Sequence, residues 1–553
     1  MAFDVLSHPE VLAQAGSEDP QFYLNAEGRT GVTVNGKPSL SIETAGLTLV
    51  GFENGWSSAL GQPYTITYGF RATAPETMPD DSAGFSRFNT AQIRQAELAL
   101  TSWSDVANIT FVRVGSGAVG EAAYSNQASI LFSNYSSGVD GASAFAYLPG
   151  NPAFSASSGD VWINATLGYN VTPTANNYGG SVLVHELGHA IGLGHPSDYD
   201  VVDGASFTYA EHAEYYQDSR QYTVMSYFSE RNTGASYEGR YASAPQLDDI
   251  AAAQAEYGVN MTTRTSDTTY GFNSNAGRSW FEISTASTKV VFAVWDAGGT
   301  DTFDFSGYSN AQTIDLREGH FSDVGGLVGN VAVAAGAKIE DARGGSGADT
   351  VQGNDLANWL RGEAGNDAIN GLAGDDRLDG NDGNDTITGG DGFDRINGNI
   401  GADFGYGGAG ADWVVGGQNN DQLFGEAGDD IVNGNLGNDV CYGGVGGDIV
   451  RGGQGDDVLS GDEGDDWLSG DRGADNITGG LGADIFYSFA GAGLDLITDF
   501  NRAQGDRIQL DPGETYSVYQ SGANAIIDLG GGDQIILAGV NISALTGDWV
   551  IGL

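Results

Sequence analysis

The chain has 553 residues, 73 acidic against 22 basic, for a formal net charge of -51, with 87 glycines and one cysteine. Such a charge excludes nucleic acid and anionic membrane as partners, since both would repel it, and 40% hydrophobic with 10% aromatic residues excludes a solvated acidic tail. The length calls for two or more domains, the single Cys441 permits no intramolecular disulfide, and the acidity is compatible with compact folding if divalent cations sit between the carboxylates.

Met1 to His8 has neither a basic nor an apolar stretch, so no cleaved signal peptide is expected. No run of about eighteen apolar residues occurs, so no transmembrane helix is expected. In chain order, Thr90 to Val106 carries apolar residues at helical spacing, and Asn108 to Val114 alternates as a strand does. Ala128 to Phe132 and Gly159 to Ile163 read as further strands, and Tyr178 to Ile191 as a helix.

That helix opens His185-Glu186-Leu187-Gly188-His189-Ala190-Ile191-Gly192-Leu193-Gly194-His195, which holds three of the six histidines. His185 and His189 are four apart and share a helix face. Gly192 lets the chain turn out of the helix and bring back His195 as a third ligand. Three neutral nitrogen donors suit zinc with one position open to water, the arrangement of a catalytic site. Glu186, beside the first ligand, is placed to take a proton from that water. Met225-Ser226-Tyr227 follows thirty residues on, and Pro245 to Tyr257 reads as the last helix of this domain.

Near residue 260 the composition changes, and after about residue 340 a nine-residue repeat, G-G-x-G-x-D-x-U-x with U apolar, runs for sixteen frames. Gly344 and Gly347 stand in the first frame. Its acidic column is Asp349, Asp367, Asp376, Asp385, Asp394, Asp403, Asp412, Asp421, Asp430, Asp439, Asp448, Asp457, Asp466, Asp475 and Asp484, with Asn358 the exception. Inward backbone carbonyls with Asp carboxylates make a hard-oxygen set suited to calcium. The U column, which includes Val351, Leu360, Ile369 and Cys441, gives each short strand one apolar residue. A nine-residue unit cannot bury it alone, so successive units are expected to stack into a parallel β-helix or β-roll. Gly405 interrupts the column, and an irregular coil is expected there. From Gly344 to Asp484 there are twenty-five Asp and three Glu against five Arg, so folding of this block should depend on calcium.

The zinc motif ending in His195-Pro196, the Met225-Ser226-Tyr227 turn and the nonapeptides together resemble the serralysins, secreted bacterial zinc metalloproteases of the metzincin clan. Asn35 to Leu40 and Trp295 to Asp304 resemble serralysin segments too. The resemblance implies an α+β metzincin protease domain followed by an all-β, calcium-binding parallel β-roll. It divides the chain into a propeptide within 1–20, a protease domain at 21–262, a linker and start of the β domain at 263–340, the roll at 341–490 and a C-terminal β cap at 491–553. It implies Zn2+ on His185, His189 and His195, Glu186 as general base, and Met225 as the apolar floor of the site. Tyr227 resembles the tyrosine that ligates zinc at rest and supports the oxyanion in catalysis. Asp296, Gly298, Asp301, Asp304 and Glu340 match a further Ca2+ site, and Ala144, Phe145 and Ala146 match a substrate-binding edge strand. Implied partners are protein or peptide substrates, a type I secretion machinery that reads the tail Asp548 to Leu553, and a proteinaceous inhibitor; the implied location is extracellular. The competing reading is a calcium-dependent cell-surface or S-layer-associated binding protein whose protease domain is incidental or inactive, because acidic nonapeptides occur in both classes.

Overall fold

Hydrophobic alternation and helical apolar spacing produce the elements of the first half almost where they are read. The structure, a computed structural model, describes residues 23–50, 55–79, 82–139, 142–150, 157–199 and 207–552; the expected propeptide lies outside the described residues. The chain forms two units, one running to Asp301 and adding Arg317–Ile339, the other made of Thr302–Leu316 and Glu340 onward.

The first unit is α+β. Its sheet runs Ile109–Arg113, Tyr64–Phe70, Ile130–Tyr135, Val161–Asn164 and Ala144–Ala146. The first four strands are parallel, and Ala144–Ala146 closes the edge antiparallel to Val161–Asn164. The helix Thr90–Val106 begins at Asn89, whose side chain accepts the N–H groups of Ala91 and Gln92, a capping arrangement worth about 1 kcal/mol. Its Trp103 is fully buried and donates Nε1–H to the Val184 carbonyl at 3.1 Å, tying it to the helix Tyr178–Ala190. The final helix, Leu247–Tyr257, buries Leu247, Ile250, Ala252 and Ala253.

The second unit is a parallel β-solenoid. Each eighteen-residue coil contributes one six-residue strand to each of two sheets. In one sheet Leu360, Leu378, Ile396, Val414, Val432, Val450 and Leu468 stack in register. In the other, Val351, Ile369, Ile387, Gly405, Leu423, Cys441, Leu459 and Ile477 do so. All these residues are buried, including Cys441, whose thiol burial holds well above its usual pKa. One nonapeptide cannot enclose its apolar residue, whereas two facing ladders can.

The irregular coil expected at Gly405 does not form. Phe404–Ala409 is a full strand, paired on both sides. A Cβ on Gly405 would lie 2.9 Å from Val414 Cγ1 and 3.1 Å from Leu423 Cδ2, so neighbouring side chains already fill the space. After the repeats, Asn524–Gly530 and Asp533–Leu537 form an antiparallel pair, and Val550–Gly552 adds parallel to Arg507–Leu510.

Candidate functional site

The helix Tyr178–Ala190 carries His185 and His189 on one face and is buried along its length. It ends because Gly192 takes φ 111°, a conformation open to glycine and costly for other residues. Gly192 N–H then bonds the His189 carbonyl at 2.9 Å, and Gly194 N–H bonds Leu49 O at 2.7 Å, fixing the path to His195. The donor atoms of His185, His189 and His195 all lie within 4.8 Å of one another. His189 Nε2 and His195 Nε2 are 3.1 Å apart.

Two of these rings are oriented from behind. His185 Nδ1 donates to Val224 O and His189 Nδ1 to Leu193 O, each at 2.7 Å, which leaves each Nε2 as the metal donor. Glu186 is fully buried next to the first histidine. The Tyr227 ring centroid lies 4.7 Å from that of His195 and 5.9 Å from that of His185. The Tyr227 hydroxyl is buried and makes no hydrogen bond among the described residues. Three converging imidazoles and a phenol oxygen without a partner suit a tetrahedral N/O cation, so the residues fit zinc. Met225 is fully buried beneath the helix, and a Cβ on Gly188 would overlap its Sδ and stand 3.3 Å from Trp103 Cζ2.

Two buried carboxylates that the sequence reading missed brace this turn. Asp249 accepts the Thr223 hydroxyl at 2.6 Å, Val224 N–H at 2.8 Å and Gln246 N–H at 2.8 Å. Asp218 accepts the hydroxyls of Ser197, Tyr199 and Ser226 at 2.6, 2.5 and 2.6 Å, joining the segment after His195 to the methionine turn. Burial pushes both carboxyls up to about 6. The available signal was the acidic pair Asp248-Asp249 at the start of an otherwise alanine-rich helix. It reads equally well as ordinary complementation of the helix dipole.

Ala144–Ala146 sits at the sheet edge, with Phe145 stacked at 6.3 Å on Trp162. Of the further calcium set, Asp296 and Asp301 belong to the first unit. There Asp296 accepts Tyr270 O–H at 2.5 Å and Gly298 N–H at 3.0 Å, and Asp301 accepts Thr268 N–H at 2.7 Å. In the second unit Asp304 accepts both N–H and O–H of Ser306, and the Glu340 carbonyl accepts Asn358 Nδ2–H at 2.9 Å.

Along the roll the Asp column forms two ladders, each stepping by eighteen residues. Oδ1 of each Asp accepts the backbone N–H of its predecessor, as Asp385 does from Asp367 and Asp394 from Asp376, at 2.8 and 2.9 Å. Among the described residues, the other oxygen, Oδ2, is buried without a hydrogen bond at every column position from Asp367 to Asp466. Burial pushes these carboxyls up to about 7 at Asp367 and Asp376 and to about 8 at Asp421. A Cβ on a first-column glycine would enter the space between this oxygen and a carbonyl of the next coil; at Gly380 those atoms are Asp385 Oδ2 and Gly398 O, the latter 2.9 Å away. A cradle of hard oxygens repeated in this way fits calcium. Asn358, the exception, instead donates its amide to Glu340 O.

A family model described as Matrixin matches residues 63–221, and one described as Peptidase M10 serralysin C terminal matches residues 259–518. Serralysin C of Dickeya chrysanthemi is 47% identical over 330 residues, covering 58% of this chain and 66% of its own length. Metallopeptidase AprA of Pseudomonas marginalis is 47% identical over 339 residues, covering 60% of this chain and 69% of its own length. Metalloprotease AprA of Pseudomonas entomophila (strain L48) is 47% identical over 342 residues, covering 60% and 68% respectively. The chain thus spans about two thirds of the length of these curated relatives. Among the described residues no helix is long and apolar enough to cross a membrane.

Proposed function

This chain belongs to the serralysin family of metallopeptidases, and on that premise we propose that it is a secreted, zinc-dependent endopeptidase whose folding requires calcium. The observation that carries the reading is the convergence of His185, His189 and His195 within 4.8 Å, with Glu186 buried beside them. Bound there, zinc supplies Lewis acidity, which makes a water easier to deprotonate and a carbonyl easier to attack.

The chain's own residues do the rest. The Ala144–Ala146 edge offers backbone groups to an extended substrate. Glu186 takes a proton from the attacking water as its oxygen bonds to the scissile carbonyl carbon. The same carboxyl delivers that proton to the leaving amide nitrogen as the C–N bond breaks. Tyr227 O–H, which has no hydrogen-bond partner among the described residues, donates to the developing oxyanion. Met225 supports the ligands from below. The ladders from Asp349 to Asp484 hold calcium.

Calcium-dependent folding suits export: a chain unfolded at low internal calcium would pass a type I secretion conduit, with the C-terminal tail as its signal, and fold outside. The division into a propeptide, a protease domain to residue 262, a roll and a C-terminal cap belongs to the same reading, as does a proteinaceous inhibitor partner.

Casein digestion with and without chelator, on wild type and Glu186→Ala, tests the core of it. Activity should vanish with chelator and fall at least ~10²–10⁴-fold in the variant, while zinc binding persists. Full activity in Glu186→Ala would overturn the mechanism.

A further inference from the structure

The outward face of one roll sheet carries an open groove of about 970 Å³. It runs across the strands. Strand register lines up Asn381, Asn399, Gly417, Asn435, Gly453 and Asp471 as its floor, one residue per coil. With coils about 4.8 Å apart, the floor extends for roughly 24 Å. Asn397, Val415, Asn433 and Arg451 form one flank in register, and Ile400, Gln418, Leu436 and Gln454 form the other. At one end Tyr487 and Phe489 present rings 6.0 Å apart, and Tyr487 stacks on Trp467 at 5.3 Å.

Three observations select the occupant. First, seven of its eighteen lining residues are side-chain amides, which donate and accept hydrogen bonds at once, as hydroxyl groups do. Asn397 Nδ2 already bonds Asn399 Oδ1 at 2.9 Å, which fixes the amide orientation. Second, its charge is balanced: Asp382 and Asp471 stand against Arg451 and Arg472, and Arg451 is paired with Asp471 at 2.7 Å. The groove therefore holds no unbalanced base to bind a polyanion and no unbalanced acid to bind a polycation. Third, the strands beneath it are hydrogen-bonded to coils on both sides, so a peptide cannot bind by strand addition. A ligand must be read by side chains at the coil repeat, a step comparable to the advance of one sugar in an extended chain. Aromatic rings at the end give a sugar face a stacking platform.

We propose that this groove binds a neutral, unbranched polysaccharide and holds the enzyme on a glycan-containing matrix near its protein substrates. The site lies wholly within the solenoid and does not involve Glu186, so its failure and failure of the protease reading are distinguishable.

The test is affinity electrophoresis of the calcium-loaded full chain in native gels containing soluble mixed-linkage β-glucan, dextran, alginate or no polymer. The comparison is a variant with Asn397→Val, Asn433→Val, Asn399→Gly and Asn435→Gly. These replacements copy Val415, Gly417 and Gly453, which already occupy the same columns, so the coil geometry is kept; circular dichroism checks this. Wild type should be retarded by at least one neutral glucan, and the variant should lose that retardation while its casein digestion is unchanged. Migration unaffected by either neutral polymer, retardation by alginate alone, or equal retardation of the variant would overturn the proposal. So would protection of the groove by a casein peptide in hydrogen exchange on the Glu186→Ala chain.

Discussion

Asp249 and His185 are joined through a single residue: Val224 gives its N–H to Asp249 at 2.8 Å and takes the His185 Nδ1 proton on its carbonyl at 2.7 Å. The carboxylate therefore sets the position of a metal ligand it does not touch. Asp249→Asn would turn an acceptor that satisfies three donors into a group with two N–H bonds of its own facing them. Zinc affinity should fall about 10–100-fold, read by competition with a fluorescent chelator, with the far-UV spectrum unchanged. An unaltered zinc affinity would remove Asp249 from the support of the site.

Gly188 is a question of space. A methyl group there meets Met225 Sδ and Trp103, both fully buried, so the methionine side chain must shift within a packed interior. Gly188→Ala should cost about 1–3 kcal/mol of stability by overpacking and should weaken zinc retention, seen in urea titrations with zinc release followed in parallel. Stability equal to wild type would show that the methionine turn gives way freely.

Restoring the apolar residue at Gly405 should do harm. The position belongs to a ladder of buried aliphatic residues, yet Val414 and Leu423 already occupy the volume. Gly405→Val should destabilise the calcium-loaded roll by about 1–3 kcal/mol in urea unfolding. A gain in stability would mean that the coil has slack.

The Asp ladders predict opposite pH responses with and without calcium. Their carboxyls are raised from 3.8 to about 7 at Asp367 and about 8 at Asp421, chiefly by burial. A raised folded-state pKa means the folded chain binds the proton more tightly. In chelator, that contribution is complete below about pH 4 and is lost as pH rises through about 6 to 8. With calcium, protons compete for the same oxygens, so the calcium concentration needed for folding should fall as pH rises over that range. Circular dichroism titrations at pH 5, 6, 7 and 8 check both arms. A calcium-free roll equally folded at pH 5 and pH 8 would contradict the first.

Much of the architecture was legible in the residues because it repeats or is local. The helix Thr90–Val106 occurs as read, and the zinc helix ends at Ala190, one residue short of the reading, because Gly192 and helical apolar spacing are short-range signals. The solenoid was legible because the same unit recurs through sixteen frames. Gly405 misled because a missing side chain looks like a defect until its neighbours' volumes are known.

The sequence by itself determined that two histidines and a glutamate share one helix with a third histidine just past its end, and that an acidic nonapeptide array stacks into a roll. These follow from spacing and from the composition of single turns. Only the tertiary structure decided what holds the site in shape: Asp249 and Asp218 reach hydroxyls and amides far from them in sequence, and their partners become neighbours only after packing. The same holds for the groove on the roll, whose floor residues lie eighteen apart along the chain and form one surface only because parallel register sets the coils side by side.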